Sequence, residues 1–364
     1  MLKKLSDIAM ITIGQSPSSS AYNASGFGLP FLQERTTFGD KYPYYDTWTS
    51  QWNKEAQIGD ILFTVRAPVG DLNIANTRLA IGRGIAALHP LNVSTKYLFY
   101  LLSSSKSKFL NSSVGTIFDS INKDALESIV LDIHSENEQN HIVDTIGSVD
   151  DLIEICDKQV NALNHLIWLI YKSFHFIGES KKLGDLFRIT IGRTPPTKET
   201  QWFSNDSKEC KWLSIKDMKN DGTFVFNASQ FLTKDAIKKF KIPLVEKGDI
   251  LLSFKLTLGR IAIAESAMAT NEAIACFKVA DNMRPYLFCF LKYYNFEKNM
   301  ESTSSIGKAF NSTLLKGLEI IYPASEQLKS FNLALYPLLN RILFLEKMKI
   351  KLLNLKQNLL QKYF

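Results

Sequence analysis

The sequence predicts an α+β protein with two similar globular domains and two long helices. Three observations support this prediction: a repeated motif, a later series of matching motifs, and two long heptad patterns. Residues 4–17 (KLSDIAMITIGQSP) and 182–195 (KLGDLFRITIGRTP) are identical at 8 of 14 positions. Because self-similarity of this kind marks a structural repeat, each half of the chain should contain the same fold.

Further motifs match at a constant spacing of 189 residues. The matching pairs are Gly59–Leu62 with Gly248–Leu251, and Tyr97–Phe99 with Tyr286–Phe288. Strand-like hydrophobic runs between glycine turns, each followed by a short helical stretch, predict a mixed α+β fold in both halves. Segments 18–57 and 196–246, in contrast, share almost no sequence and differ in length. One framework is therefore expected to carry two different inserts.

Two segments place hydrophobic residues at alternating spacings of four and three, which is typical of coiled-coil helices. The first seam consists of Ile142, Ile146, Val149, Ile153, Cys156, Val160, Leu163, Ile167, Ile170 and Phe174. The second consists of Leu338, Ile342, Leu345, Leu352, Leu355 and Leu359. Lys349 and Lys356 interrupt the second seam, so Met348 and Leu355 are expected to take their place. Pro337 should either begin the regular part of this helix or kink it, because proline disrupts a helix interior.

The charges of the two helical segments are opposite. Residues 136–180 contain 8 acidic and 2 basic side chains, whereas residues 325–364 contain 2 acidic and 7 basic ones. This complementarity favours pairing of the two helices with each other over self-pairing. The predicted boundaries are 1–135 for the first globular domain, 136–178 for the first long helix, 179–324 for the second domain and 325–364 for the second long helix.

The composition fits a globular protein, and no catalytic motif is found. The chain has 364 residues, of which 45% are hydrophobic, and a net charge of +7 that is compatible with a polyanionic partner. It contains neither a GxxxxGK[ST] loop nor an Asn/Asp-Pro-Pro-aromatic methyltransferase motif. Its histidines and cysteines are scattered, so we predict neither a catalytic residue nor a metal site. Without a signal peptide or a run of 18 apolar residues, a cytoplasmic location and no membrane partner are expected.

The order of these motifs resembles that of the specificity (S) subunits of type I restriction-modification systems. Each half opens with a KLGD-like motif and an IG-x-[ST]-P loop, continues through GDI-L, and ends in a long helix that follows a Glu-Gln pair. The pairs are Glu138-Gln139 and Glu326-Gln327. The resemblance covers essentially the whole chain, and its specificity lies in the order of the motifs and their repetition.

The resemblance implies a function and a set of partners. The two globular domains would be target-recognition domains, each reading one half of a split sequence in double-stranded DNA, and the helices would form an antiparallel coiled coil that separates them. Two modification (methyltransferase) subunits would dock around the helices and domains. The chain itself would be non-catalytic and would bind no cofactor, because S-adenosylmethionine would bind the modification subunits. A restriction subunit with nuclease and translocase activity is left open as a further partner.

Base and phosphate contacts need polar and charged side chains, which the dissimilar segments and nearby loops supply. In the first half we predict contacts from Gln15, Ser16, Ser18, Ser19, Gln33, Glu34, Arg35, Thr36, Arg66 and Arg83. In the second half we predict them from Arg193, Thr194, Thr197, Lys198, Ser214, Lys216, Asp217, Lys255, Thr257, Arg260 and Asn271.

Two other functions are compatible with parts of the sequence. A coiled-coil scaffold that binds only proteins would explain the heptads, and it predicts no salt-dependent binding to duplex DNA. A nuclease or methyltransferase of unusual type would need a catalytic motif that the sequence does not contain.

Overall fold

A computed structural model describes residues 1–111, 120–218, 222–255, 257–296 and 311–364. The chain divides into two compact units, each of which contains part of both long helices. The first unit comprises Met1–Ile153 and Lys351–Phe364, and the second comprises Glu154–Ile350. The mixed helix-and-sheet architecture confirms the predicted fold class, whereas the predicted domain boundaries stay a prediction.

Three sheets are found in the described part of the first unit. Leu2–Lys4 pairs antiparallel with Val130–Asp132. The four-stranded sheet is antiparallel and has the order Ala9–Ile13, Ile85–Pro90, Ile61–Thr64, Leu72–Ile74. The five-stranded sheet has the order Tyr22–Asn23, Trp48–Thr49, Leu29–Leu32, Leu79–Ile81, Glu55–Ala56, and its third and fourth strands are parallel.

The short helices in the described part of the first unit pack against its four-stranded sheet. They are Leu5–Ile8, Thr95–Ser104, Lys106–Asn111 and Lys123–Glu127, with 3-10 turns at Ser19–Ala21 and Arg35–Thr37. The side chain of Ser94 caps Thr95–Ser104 by accepting a hydrogen bond from the Tyr97 N–H. Six consecutive residues of this helix, 97–102, are buried, and Leu98 and Leu102 belong to the same hydrophobic cluster as Ile61 and Phe63 of the sheet. The short helical stretch expected after the strands of the first half is thus present, and it is buried against the sheet.

The second unit repeats this arrangement among its described residues. Gly178–Lys182 pairs antiparallel with Glu319–Pro323. One five-stranded sheet has the order Arg188–Ile191, Ile274–Lys278, Ile250–Ser253, Ile261–Ala264, Phe224–Val225. The other has the order Phe203–Ser204, Gln230–Leu232, Cys210–Leu213, Met268–Thr270, Leu244–Val245. The short helices are Leu183–Leu186, Lys234–Lys239, Arg284–Tyr293 and Ser312–Gly317, with 3-10 turns at Thr200–Trp202, Ile215–Asp217 and Asp281–Met283.

The two inserts share a strand order that their sequences do not show. In each unit the insert contributes four strands to a five-stranded sheet, and the fifth strand comes from the shared framework. That framework strand, Leu79–Ile81 or Met268–Thr270, pairs parallel with the middle insert strand in both units. These insert strands are two to four residues long, so they carry too few alternating positions to be recognised from sequence.

The aspartate of each GDIL motif has a structural role. Asp60 accepts a hydrogen bond from the Gln57 N–H at 2.8 Å and lies 2.7 Å from His89 Nδ1. In the second unit Asp249 accepts from the Glu246 N–H at 2.7 Å and pairs with Lys278 at 2.6 Å. Both carboxylates are buried, so these hydrogen bonds offset the cost of removing them from water. The motif therefore fixes the turn that precedes a central strand.

The long helices are Glu136–Ser173 and Ser325–Tyr363, and they pack antiparallel within each unit. In the first unit Asp150 pairs with Lys356 at 2.6 Å and His141 Nε2 lies 3.1 Å from the Tyr363 hydroxyl. In the second unit Asp157 pairs with Lys349 at 2.7 Å. The two ion pairs are one heptad apart in sequence on both helices, and each joins an aspartate of the first helix to a lysine of the second within its own unit. No helix in the described ranges is both long and apolar enough to cross a bilayer.

The predicted seams are partly correct. The buried seam residues are Ile142, Ile146, Val149, Cys156 and Ile167 in the first helix and Ile342 and Leu345 in the second. The half-buried seam residues are Ile153, Val160, Leu163 and Ile170 in the first helix and Leu338, Leu352 and Leu359 in the second. The prediction that Leu355 replaces a lysine is wrong, because Leu355 is 45% exposed. Lys349 and Lys356 stay at the interface themselves, since each finds an aspartate partner there.

Two other helix predictions need correction. Phe174 lies beyond the end of the first long helix at Ser173, where its ring packs edge-on against Phe331 at 5.0 Å. Of the two alternatives for Pro337, the first is excluded, because the second helix starts twelve residues earlier at Ser325 and contains the proline in its interior. The hydrophobic packing of Phe331 and Leu335, both fully buried, extends the helix to the N-terminal side of the proline.

We expect removal of the Lys356 charge to destabilise the protein. Asp150 is 8% exposed and also accepts a hydrogen bond from the Tyr100 hydroxyl at 2.7 Å, so Lys356→Ala leaves a buried carboxylate without its cation. The loss should be about 2–3 kcal/mol, because an unpaired buried charge is costly. Thermal unfolding of Lys356→Ala, of the exposed control Lys351→Ala and of the double variant Asp150→Leu/Lys356→Leu measures it. Equal midpoints for the two single variants, or no recovery in the double variant, would contradict a stabilising pair.

Candidate nucleic-acid interface

Backbone hydrogen bonds bring four loops of the first unit together. The Gln15 N–H donates to the Ile81 carbonyl at 2.9 Å, and the Val65 N–H donates to the Gly84 carbonyl at 3.0 Å. The Gly84 N–H in turn donates to the Gln33 carbonyl at 3.2 Å. These bonds group six of the predicted contact residues, which we call the first cluster: Gln15, Ser16, Gln33, Glu34, Arg66 and Arg83.

The first cluster presents polar side chains to solvent. Gln15, Glu34, Arg66 and Arg83 are exposed, and their side chains form no hydrogen bond or ion pair with any described residue. Ser16 is half-buried, and its hydroxyl oxygen accepts a hydrogen bond from the Arg83 N–H at 3.2 Å. The framework thus fixes the backbone of the cluster while several of its long side chains stay available for a ligand.

Arg35 has a different environment. Its guanidinium pairs with Asp71 at 2.5 Å, and Lys106 pairs with the same carboxylate at 2.6 Å. Burial opposes ionisation of Asp71, but the hydrogen bonds from Lys106 and Arg35 outweigh it, and the pKa of this carboxyl is lowered. Arg35 therefore contributes to a local charge network as well as to the surface.

Ser18, Ser19 and Thr36 lie outside the bonds that form the first cluster. Ser18 lines a surface pocket together with Pro17, Ser50, Gln51, Trp52 and Asn53. Ser19 begins a 3-10 turn, and the Thr36 carbonyl accepts a hydrogen bond from the Tyr44 hydroxyl at 2.9 Å. Their assignment to DNA contact stays a prediction, as it does for the rest of the predicted set.

The second unit forms an equivalent cluster, in which three backbone bonds correspond to those of Gln15 with Ile81, Val65 with Gly84, and Gly82 with Leu32 (2.8 Å) in the first unit. The Gly84–Gln33 bond has no backbone counterpart, because the Ala273 N–H donates to the Asn271 side chain instead. The Arg193 N–H donates to the Thr270 carbonyl at 2.9 Å, and the Asn271 N–H donates to the Leu213 carbonyl at 3.0 Å. The Phe254 N–H donates to the Ala273 carbonyl at 2.9 Å. These bonds group the predicted residues that we call the second cluster: Arg193, Thr194, Ser214, Lys255 and Asn271.

Equivalent backbone positions carry different side chains in the two clusters. The pairs related by the repeat are Gln15 with Arg193, Arg66 with Lys255, Gly82 with Asn271, and Arg83 with Glu272. Glu272 is exposed and was not predicted as a contact residue, although the spacing of 189 residues already aligned it with Arg83. The shared bonds and differing side chains give each unit its own chemical surface on one backbone frame.

Several predicted residues of the second unit also hold its backbone. Arg193 donates from its guanidinium to the Phe240 carbonyl at 2.9 Å, and the Thr194 hydroxyl donates to Glu272. The Arg260 guanidinium donates to the Ile215 and Met218 carbonyls, both at 2.9 Å. Arg260 thereby stabilises the 3-10 turn that carries Lys216.

Asp217 caps the same turn. Its carboxylate accepts hydrogen bonds from the Ser214 N–H at 2.9 Å, the Ser214 hydroxyl at 2.7 Å and the Ser229 N–H at 3.0 Å. Burial of Asp217 opposes ionisation, but these hydrogen bonds prevail, and the pKa of this carboxyl is lowered. The turn leaves the neighbouring Lys216 side chain exposed.

Three predicted residues lie on exposed segments. Thr197 and Lys198 precede the 3-10 turn Thr200–Trp202, and Thr257 follows residue 256, which is outside the described ranges. Exposed lysines at 238, 239 and 241, which the sequence analysis did not select, lie on and just after the helix Lys234–Lys239. Their chemistry could have been recognised, but their position beside the second cluster depends on the tertiary fold.

Comparison with known proteins identifies the family. The family model described as "Type I restriction modification DNA specificity domain" matches residues 1–165 and 178–353. The chain belongs to this family. The two matched ranges correspond to the two halves of the internal repeat, so this specificity-family chain carries the domain twice.

Individual relatives agree with this assignment. A MjaX specificity subunit, provisionally assigned to a type I restriction enzyme of Methanocaldococcus jannaschii, is 43% identical over 151 residues, which span 41% of this chain and 36% of that relative. The type I restriction enzyme MjaIX specificity subunit of the same organism is 23% identical, over 99% of this chain and 91% of its own length. The crystal structure of a type I system S subunit from M. genitalium covers 100% of this chain and 96% of its own, with 16% identity and a TM-score of 0.57, and it supports the fold.

We expect Gly192→Ala to disturb the second cluster. A Cβ atom at Gly192 would lie 2.2 Å from the Asn271 carbonyl oxygen, and one at Gly14 would lie 2.2 Å from the Gly82 carbonyl oxygen. The clash should push the loop away from Thr270 and cost about 1–3 kcal/mol. Hydrogen exchange at the Arg193 and Asn271 amides should become faster. Gly317→Ala is the control, because no atom lies within 4 Å of its added Cβ; unchanged exchange in Gly192→Ala would show that the loops do not need this close approach.

Proposed function

We propose that this specificity subunit binds double-stranded DNA and that each unit reads one half of a two-part target sequence through its cluster. The observation that supports this most strongly is the pair of equivalent clusters, which share backbone hydrogen bonds and differ in their side chains. A fixed frame with variable side chains suits recognition of two different half-sites, because sequence is read by side chains that pair with base edges.

The side-chain differences indicate different base preferences. Arginine pairs well with the O6 and N7 atoms of guanine, whereas glutamate accepts from the N4 amino group of cytosine and asparagine pairs with adenine. Arg83 in the first cluster is exposed, and at the corresponding loop of the second unit Asn271 of the second cluster is half-exposed and its neighbour Glu272 is exposed. The two half-sites should therefore differ in sequence.

We infer that the chemistry resides in partner subunits. The chain would bind no cofactor, and two modification subunits would bind S-adenosylmethionine and transfer the methyl group. A restriction subunit is left open as a further partner. The complex would bind and methylate DNA in the cytoplasm.

The long helices would serve as the spacer and as the docking site for the modification subunits. Exposed hydrophobic side chains on them support docking of another protein. Ile155, Leu166 and Leu169 on the first long helix are more than 40% exposed. Phe344 on the second long helix is also more than 40% exposed. A scaffold that binds only proteins would use the same side chains, but it would show no sequence-specific, salt-dependent binding to duplex DNA.

We expect substitutions in one cluster to change one half of the methylated sequence. Arg83→Ala should relax the first half-site and Glu272→Ala the second, each by about 1–3 kcal/mol at the affected base, because each removes one direct contact. Methylation mapped across genomic DNA in cells that contain the variant and its modification subunit gives the result. Lys123→Ala, an exposed lysine paired with Glu127, is the control.

The possible outcomes distinguish independent reading by the two clusters from its alternatives. Relaxation confined to the expected half supports independent reading by each cluster. Changes in both halves, or a one-part motif for the unaltered chain, would contradict it. Methyl transfer or DNA cleavage by the purified chain alone would contradict the assignment of chemistry to partners.

A further inference from the structure

We propose that Lys238, Lys239 and Lys241 bind the phosphate backbone of DNA beside the second half-site and that the equivalent connection of the first unit, residues 50–54, does not supply such an anchor. This proposal rests on the proposed function, because it assumes that the second cluster faces DNA. It adds a phosphate contact that the predicted set did not contain, and it makes the two units unequal in their electrostatic contribution to binding.

The lysines lie in a connection that differs between the units. In the second unit, the strands Gln230–Leu232 and Leu244–Val245 are joined by a segment that contains the helix Lys234–Lys239. In the first unit, the equivalent connection between Trp48–Thr49 and Glu55–Ala56 is the short stretch SQWNK, with Lys54 as its single basic residue. The inserts therefore share strands but not this basic helix.

The C-terminal end of the helix is tied to the second cluster. Arg193 donates from its guanidinium to the Phe240 carbonyl at 2.9 Å, while its own backbone carbonyl accepts a hydrogen bond from the Trp212 indole at 3.3 Å. Trp202 packs edge-on against Phe240 at 5.4 Å, and the Lys239 ammonium lies 4.3 Å from the Trp202 ring. The exposed lysines are thus held next to the Arg193 loop.

Lys241 has a backbone conformation that its residue type disfavours. Its φ is +48°, in the left-handed region, and the Ile242 N–H donates to the Ile237 carbonyl at 3.1 Å. This is the Schellman arrangement that ends many helices, in which the left-handed position is usually glycine. A lysine there accepts strain that glycine would avoid, and residues held in this way are concentrated at functional sites.

The helix dipole accounts for only part of this pattern. Lys238 and Lys239 lie in the last turn, where a cation interacts favourably with the C-terminal end of a helix. That effect does not explain why the left-handed position 241 is a lysine and not a glycine. A phosphate ligand would explain all three, because lysine contacts to phosphate need a positive charge and little directional precision.

The test compares variants of the complete chain in complex with its modification subunits. Lys241→Gly and Lys241→Asn remove the charge from a position that both new residues tolerate, so the unfolding midpoint should be unchanged or higher. Lys238→Ala/Lys239→Ala removes the two helical charges. The probe is a duplex taken from a genomic site whose methylation requires this chain, and an unrelated duplex serves as the second probe.

Binding to both probes is measured at several salt concentrations. Removal of one lysine–phosphate interaction should reduce the slope of log K against log salt by about 0.9 and weaken binding to both duplexes alike. The methylated sequence should stay the same, since phosphate contacts carry no base information. Asn92→Gly is the backbone control, because Asn92 also has a positive φ of 56° but no charge. Lys316→Ala is the charge control, because Lys316 is an exposed lysine in the last turn of another six-residue helix.

The outcomes separate the two proposals. Reduced slopes in the lysine variants with normal controls support the anchor. Unchanged slopes, with two-part methylation intact, would overturn the anchor and leave the proposed function standing. A slope that falls as much in Lys316→Ala would also overturn it, since any exposed lysine would then suffice. If the unaltered complex does not prefer the genomic duplex over the unrelated one, the proposed function itself fails.

Discussion

The antiparallel pairing of the two long helices is the interaction on which the structure of both units depends. In each unit a segment of the first long helix packs against a segment of the second, and the paired helices cover the framework core. Ile146 contributes to this core in the first unit, and Ile167 contributes to it in the second. Hydrophobic seams alone can slip by a heptad, because every heptad presents similar side chains. The pairs Asp150 with Lys356 and Asp157 with Lys349 restrict that freedom, since a slip would separate buried or half-buried charges.

A second constraint separates stability from recognition. The framework strands correspond in the two units and the buried aspartates of the GDIL motifs are identical, whereas the exposed loop positions change from glutamine to arginine or from arginine to glutamate. Residues that face the core and the helices therefore provide most of the stability of each unit. The exposed cluster residues can differ without loss of the fold, because surface substitutions usually change stability by less than about 0.5 kcal/mol.

Sequence reasoning identified the features that repeat or that extend over many residues. The fold class followed from the 14-residue motif, the GDIL turns and the heptads. Each of these repeats or extends further than unrelated sequences would show by chance. The insert strands were missed, because they are too short to show a period. Leu355 was wrongly expected to take the place of Lys356 in the seam, because hydrophobicity alone disfavours a lysine there. The partner of that lysine, Asp150, comes from a distant part of the chain, so only the tertiary structure reveals why Lys356 is tolerated.

The most direct test is a lengthened helix pair. One heptad inserted after Cys156 and another after Lys349 keep both ion pairs in register and extend the pair by about 10 Å, at ~1.5 Å per residue. If the helices separate the two reading surfaces, the spacer in the methylated genomic sequence should grow by up to about three base pairs, at ~3.4 Å each, with both half-sites unchanged. A folded, active variant that keeps the original spacer would contradict this account.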